Sequence, residues 1–201
     1  MAEARSLVVY VVDDDAAIRD SVALMLGLAG YVTRLFADAE SFLVAFDPGW
    51  SGCVVADLRL PGLSGVELQA RVRQRGSAIP FVIITAHGDV PAARAAFRGQ
   101  AVDFIEKPFD DAQLRSAIDT AFALERSRID TAELRRADVE KLSRLTARER
   151  EVLEHAVSGL HAKEIASALG ISPRTVEVHK MRIMEKLEVR NIAELVRLRF
   201  R

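Results

Sequence analysis

Four carboxylates, a hydroxyl and an ammonium stand in this chain where short apolar runs end. Asp13, Asp14 and Asp15 follow directly on Leu7–Val12, and Asp57 follows Cys53–Ala56. Thr85 closes Phe81–Ile84, and Lys107, with Pro108 behind it, comes just after Ala101–Phe104. If these runs are neighbouring parallel strands, their carboxyl ends bring the side chains into one crevice. Carboxylates gathered that closely repel one another, so the grouping is costly without a cation. Oxygen ligands with no thiolate and no imidazole pair favour Mg²⁺, which keeps waters and needs few protein ligands, with Mn²⁺ as the alternative. An ammonium, a hydroxyl and a divalent ion around Asp57 are the parts that neutralise a transferring phosphoryl group, the aspartate being the nucleophile. A plainer reading makes Asp13–Asp15 a strand-end turn and a helix cap, and Asp15 fills the cap in either case.

Other chemistries lack their parts. There is no glycine-rich phosphate loop, no dinucleotide fingerprint after the first run and no Ser/His/Asp set. A phosphatase built on a nucleophilic aspartate would want a second acid two residues further on, where this chain has Arg59. The crevice can accept a phosphoryl group but has no evident place for a nucleotide or an organic substrate.

The elements that must position these groups follow from periodicity. Strands are expected at Leu7–Val12, Val32–Phe36, Cys53–Ala56, Phe81–Ile84 and Ala101–Phe104, with helices at Ala16–Ala29, Ala39–Phe46, Gly65–Arg75, Val90–Arg98 and Asp111–Leu124. The first, third and fourth strands are almost wholly apolar, as parallel strands covered on both faces must be. Five βα units make an α/β, doubly wound parallel sheet, whose functional loops lie at the carboxyl ends of the strands. Lys107-Pro108 is an X-Pro step of the kind that turns cis and fixes a loop.

From Asp111 to about Arg144 the chain has no Pro or Gly, and Ile118, Phe122, Ile129, Ala132, Val139 and Leu142 form one helical stripe. Glu125 and Arg136 fall at seam positions. A long linker helix is expected, either paired with its copy or simply solvated. Beyond Leu145 the pattern is all-α with four short helices. Thr146 and Glu149 form a capping box opening Ala147–Ser158; His161–Leu169 stops at Gly170; Ser172 caps a helix with Pro173 at its first position, running to Leu187; Asn191 caps Ile192–Arg199. Two helices joined by a tight turn make a helix-turn-helix. The domains are therefore residues 1–124, a helical linker at 125–143, and 144–201.

The 201 residues carry a formal net charge of −1, but residues 1–124 have 11 basic and 16 acidic side chains while residues 146–201 have 11 and 8. That asymmetry points to different partners for the two halves. Half the residues are apolar, which excludes a largely disordered chain. No apolar run is long enough to span a bilayer, Met1–Ser6 does not read as a signal peptide, and Cys53 is the only cysteine, so a cytoplasmic protein without a membrane association is expected. On the helix after Pro173, with Val176, Ile183 and Leu187 inward, Arg174, Glu177, Val178, Lys180, Met181 and Arg182 spread over the outer side. Such a helix fits the major groove: Arg174, Lys180 and Arg182 reach phosphates, Glu177 accepts from cytosine and Val178 touches a thymine methyl. The alternative is that these helices bind a protein rather than DNA.

The segments Val11-Val12-Asp13-Asp14-Asp15, Asp57-Leu58-Arg59-Leu60-Pro61-Gly62, Ile84-Thr85-Ala86-His87-Gly88 and Asp103-Phe104-Ile105-Glu106-Lys107-Pro108-Phe109 resemble a two-component response-regulator receiver domain. The resemblance implies the flavodoxin-like strand order 2-1-3-4-5. It also implies Asp57 as phospho-acceptor, Asp14 and (through water) Asp13 as Mg²⁺ ligands with the Arg59 carbonyl, Thr85 and Lys107 on the phosphoryl group, and Phe104 as an aromatic switch. Leu145–Leu153, Lys163-Glu164-Ile165-Ala166, Leu169–Ser172, Thr175–His179 and Lys186-Leu187 are similar to the LuxR-type helix-turn-helix, and the whole resembles the FixJ/StyR-like regulators. That implies Glu177, Val178 and Met181 on bases, and Lys163, Thr175, Lys180 and Arg182 on phosphates. It further implies a sensor histidine kinase, promoter DNA and RNA polymerase as partners, with a phosphorylation-dependent homodimer. It implies no enzyme in the ordinary sense, beyond a part in its own phosphotransfer and autodephosphorylation. The sequence departs from the family at Gly99-Gln100, where Ala-Gly is usual, and at Met181-Arg182, where a small residue and an asparagine are common.

Overall fold

The computed structural model describes residues 6–86 and 90–200, the side chains of residues 90–92, 192 and 200 excepted. His87 and Gly88 of the fourth-strand motif lie outside the described residues. Two compact units divide between Arg128 and Ile129.

In the first unit, β1 (Val8–Val12), β2 (Val32–Phe36), β3 (Gly52–Asp57), β4 (Phe81–Thr85) and β5 (Asp103–Glu106) form one parallel sheet in the order β2-β1-β3-β4-β5. Alternate side chains feed opposite faces, as strand geometry requires. Tyr10, Val12, Val54, Ala56 and Ile83 pack with Phe42 of α2 (Ala39–Ala45) and with Leu68 and Val72 of α3 (Gly65–Gln74). Val9, Val11, Val55, Val82 and Ile84 pack with Val22 and Leu26 of α1 (Ala16–Leu28), and with Leu114 and Ile118 of α5 (Asp111–Ser143). β3 and β4 are buried throughout, whereas the edge strand β2 is only partly covered. The expected helix α4 has the bounds Val90–Arg98.

β5 starts two residues later than its apolar pattern suggests. The amide of Gln100 donates to the Phe97 carbonyl and that of Ala101 to the Ala96 carbonyl, both at 2.9 Å, so these residues close α4 instead of opening the strand. Gln100 occupies the left-handed position of that cap, with φ of 63°. Gly99 is a glycine for a different reason: a Cβ there would collide with Gln69 Oε1, whose own amide nitrogen donates to the Gly99 carbonyl.

In the second unit α6 (Ala147–Val157), α7 (Ala162–Leu169), α8 (Pro173–Leu187) and α9 (Ile192–Phe200) enclose Leu145, Val152, Leu153, Ile165, Val176, Ile183, Leu187 and Leu195. Ser172 Oγ accepts from the Thr175 amide, Pro173 is the first residue of α8, and Gly170 ends α7 in the left-handed conformation. Glu149 completes the capping box with Thr146 and also pairs with Lys186 at 2.6 Å, tying the start of α6 to the end of α8. No helix among the described residues is long and apolar enough to cross a membrane.

Two stability predictions follow from these contacts. A left-handed L-residue costs about 1–2 kcal/mol and unfolded glycine recovers about 0.4–1 kcal/mol of it, so Gln100→Gly is expected to stabilise the first unit by up to about 1.6 kcal/mol. Gly99→Ala should destabilise it. Denaturant titration followed by fluorescence of Trp50, the single tryptophan, reads that unit alone. The second concerns Glu149. Burial opposes its charge, but the Lys186 ammonium and the Thr146 amide and hydroxyl outweigh burial and hold its pKa down at about 2, below the ordinary 4.5. A depressed carboxylate stabilises the fold above its unfolded pKa and loses that contribution as pH falls. Glu149→Gln should therefore weaken α6–α8 at neutral pH, and its deficit against the parent should close between about pH 4.5 and pH 2 when unfolding is followed by amide resonances of those helices.

Candidate phosphoryl-acceptor site and nucleic-acid interface

The carboxyl ends of β1, β3 and β5 converge on one ammonium. Lys107 Nζ donates to Asp13 Oδ2 at 2.8 Å and also to Asp57 Oδ2. Asp13 and Asp57 are both buried. Their other oxygens are occupied by backbone: the Asp15 amide donates to Asp13 Oδ1 at 2.9 Å, and the Arg59 amide to Asp57 Oδ1 at 2.8 Å. Burial works against the Lys107 charge, but hydrogen bonds to Asp13 and Asp57 outweigh it and hold the ammonium above the usual lysine range. The strand ends are locked by Leu58 donating to the Ile84 carbonyl and Lys107 to the Thr85 carbonyl, each at 2.7 Å. Lys107-Pro108 is cis.

Thr85 is fully buried at the end of β4, paired in register with Glu106. Phe104 lies opposite Ile83 and packs, partly buried, on the α2/α3 side of the sheet. Asp14 is exposed and stands outside the Lys107 cluster; Asp15 is the N-cap of α1, accepting from the Ala17 and Ile18 amides. Among the described residues no three His, Cys, Asp or Glu side chains are gathered as a ready metal cage. The donor chemistry nonetheless fits Mg²⁺, because two buried, hard carboxylates already share one cation, and that ion needs only one or two of them beside its waters.

Gly65 is a residue the sequence reading passed over. Its amide donates to the Leu58 carbonyl, and a Cβ there would collide with the Asp57 carbonyl. The absence of a side chain lets α3 start hard against the end of β3. A glycine opening a helix is an ambiguous signal in one sequence.

In the second unit, Val176, Ile183 and Leu187 fix which side of α8 faces inward. Arg174, Thr175, Glu177, Val178, Met181 and Arg182 are exposed, as is Lys163 on α7. Met181 is 60% exposed, an apolar side chain offered to solvent beside charges. Lys180 is largely covered, its ammonium 3.4 Å from Glu177, and the Thr175 hydroxyl is 2.8 Å from that of Ser172. Two anchors escaped the sequence reading: the Glu149–Lys186 pair, and Arg148, which pairs with Glu151 and donates to the Leu169 carbonyl.

Comparison with known proteins agrees with this layout. Residues 9–119 match the response regulator receiver domain, and residues 143–199 match the luxR family of bacterial regulatory proteins. The chain is 44% identical over 194 residues to the transcriptional regulatory protein FixJ of Bradyrhizobium diazoefficiens, covering 96% of this chain and 94% of that one. It is 37% identical to the C4-dicarboxylate transport transcriptional regulatory protein DctR of Rhodobacter capsulatus, covering 96% and 99%. Among solved structures, the response regulator StyR superposes with a TM-score of 0.84 at 40% identity, covering 96% of this chain and 98% of that one. On these matches the chain belongs to the response regulators of two-component systems, as a transcription regulator with a LuxR-type DNA-binding domain.

Proposed function

We propose that Asp57 takes a phosphoryl group from the phosphohistidine of a sensor kinase, and that this drives pairing of two chains on promoter DNA. The observation that carries the reading is the Lys107 ammonium held between Asp13 and Asp57. A carboxylate oxygen of Asp57 attacks phosphorus, the P–N bond of the donor breaks, and the phosphoryl oxygens gain Lys107 as counter-charge and Thr85 as hydrogen-bond partner. Asp13, Asp14 and Asp57 with the Arg59 carbonyl would hold Mg²⁺ or Mn²⁺, whose chemistry is to neutralise charge on the transferring group. Water can later hydrolyse the acyl phosphate, which is the autodephosphorylation expected of a part-time catalyst.

The domain assignment is receiver 1–124, linker 125–143 and DNA-binding domain 144–201, in a cytoplasmic protein. Movement of Thr85 toward the phosphoryl group frees space for Phe104 to turn inward, and the β5 side with Phe97 of α4, an exposed aromatic, is the pairing face. Two DNA-binding domains held together raise the effective concentration of the second and favour two-fold-related half-sites, from which RNA polymerase is engaged. On each half-site Glu177, Val178 and Met181 would face bases, and Lys163, Arg174, Thr175, Lys180 and Arg182 the phosphates.

Incubation with a small acyl phosphate and Mg²⁺ should add one phosphoryl mass to the chain, raise its sedimenting mass to that of a dimer and tighten DNA binding together. Asp57→Asn should lose all three, and undiminished labelling would move the acceptor elsewhere. On DNA, Arg182→Ala should weaken binding to every sequence and lower the salt slope by about one unit. Glu177→Ala should cost about 1–3 kcal/mol on the preferred site and little elsewhere. Equal losses from both on all sequences would mean that α8 does not lie in the groove as assigned.

A further inference from the structure

At the opposite end of the sheet from Asp57, where β4 and β5 begin, lies a hollow of about 220 Å³ lined by Arg73, Pro80, Gln100, Val102, Leu124 and Arg128. Its charges do not balance. Glu125 is fully buried and takes both its hydrogen bonds from Arg128, Nε to Oε2 at 2.7 Å and Nη2 to Oε1 at 2.6 Å. That fork uses both carboxylate oxygens for one guanidinium. Arg73, on α3, faces the same hollow with its Nε–H buried and without a hydrogen-bond partner among the described residues.

A buried donor left without a partner is costly, and more so when it is charged. Burial, together with the like charge of Arg128, pulls Arg73 below the usual arginine range. We propose that this hollow binds a small organic monocarboxylate, its carboxylate on Arg73 and its hydrocarbon against Leu124, Pro80 and Val102. A guanidinium fork matches a carboxylate in shape and charge. One negative charge cancels the single excess positive charge of two guanidiniums and one glutamate. At about 30 Å³ for each water, the hollow of about 220 Å³ holds the equivalent of about seven, which suits an acid of four to six heavy atoms, about the size of butyrate. The occupant joins the end of α3 to α5 and to the turn after α4, and stabilises the first unit by mass action. The site is separate from the acceptor crevice, and its existence does not rest on phosphorylation.

The test is a titration of the full chain, ¹⁵N-labelled at arginine, with sodium butyrate against sodium chloride at constant ionic strength. One side-chain Nε–H resonance, identified by its loss in Arg73→Lys, should shift and saturate. By calorimetry Arg73→Leu should weaken butyrate binding about tenfold or more, while Arg71→Leu, on the exposed side of α3, leaves it unchanged. Trp50 fluorescence checks that each variant is folded. No saturable shift of the Arg73 resonance in the parent chain would overturn the proposal whatever the variants do. Unchanged affinity in folded Arg73→Leu would also overturn it, and inorganic phosphate binding as tightly as butyrate would overturn the carboxylate assignment.

Discussion

The Lys107 ammonium reaches back from the end of β5 to carboxylates carried by β1 and β3, so three strands must end at one level for the contact to exist. Everything nearby serves that condition. Parallel pairing sets Val12 beside Ala56 and Asp57 beside Ile84, which brings Asp13 and Asp57 to adjacent strand ends. A one-residue slip of β5 would point Lys107 to the other face of the sheet. The backbone amides of Asp15 and Arg59 fix the two carboxylates from outside, leaving their inner oxygens to the lysine. Two carboxylates around one ammonium carry a residual negative charge, and that residue of charge makes the crevice receptive to a divalent cation.

Elements with a clear apolar period were readable in the sequence. β2 and α4 have the bounds that periodicity assigns, and β3 and β4 each extend only to include their flanking residues. β5 was misplaced because Ala101 and Val102 look like the start of a strand, while hydrogen bonds through a non-glycine left-handed residue spend Ala101 on closing a helix. No pattern of apolar residues records that choice. The departure at Gly99-Gln100 was visible, but its cause was not: the glycine answers to Gln69, thirty positions earlier, and only the folded chain brings them together.

The same limit governs the charged groups. Strand-end carboxylates are readable because topology alone collects them. Its spacing makes Glu125 a seam position on a long helix, yet it is fully buried against Arg128. Local spacing makes Glu149 half of a capping box, which it is, but its second partner lies 37 residues away. A local motif reports the interactions a residue makes with its own turn and is silent on the tertiary partner.

The three ionic groups differ in how their charges balance. Glu149 and Lys186 match one charge with one charge, and the hydroxyl and amide of Thr146 occupy the same carboxylate, so nothing is left over and the pair holds helices together. Asp13, Asp57 and Lys107 leave one negative charge in excess, at the crevice we propose takes a cation and a phosphoryl group. Arg73, Arg128 and Glu125 leave one positive charge in excess, beside a hollow whose remaining wall includes Pro80, Val102 and Leu124. Desolvating an unbalanced charge is costly, and a fold that keeps one at a cavity either recovers the cost from a ligand or sacrifices stability. By that reasoning a balanced buried pair reads as a tie, whereas an unbalanced group facing open space reads as half of an interaction whose other half comes from outside the chain.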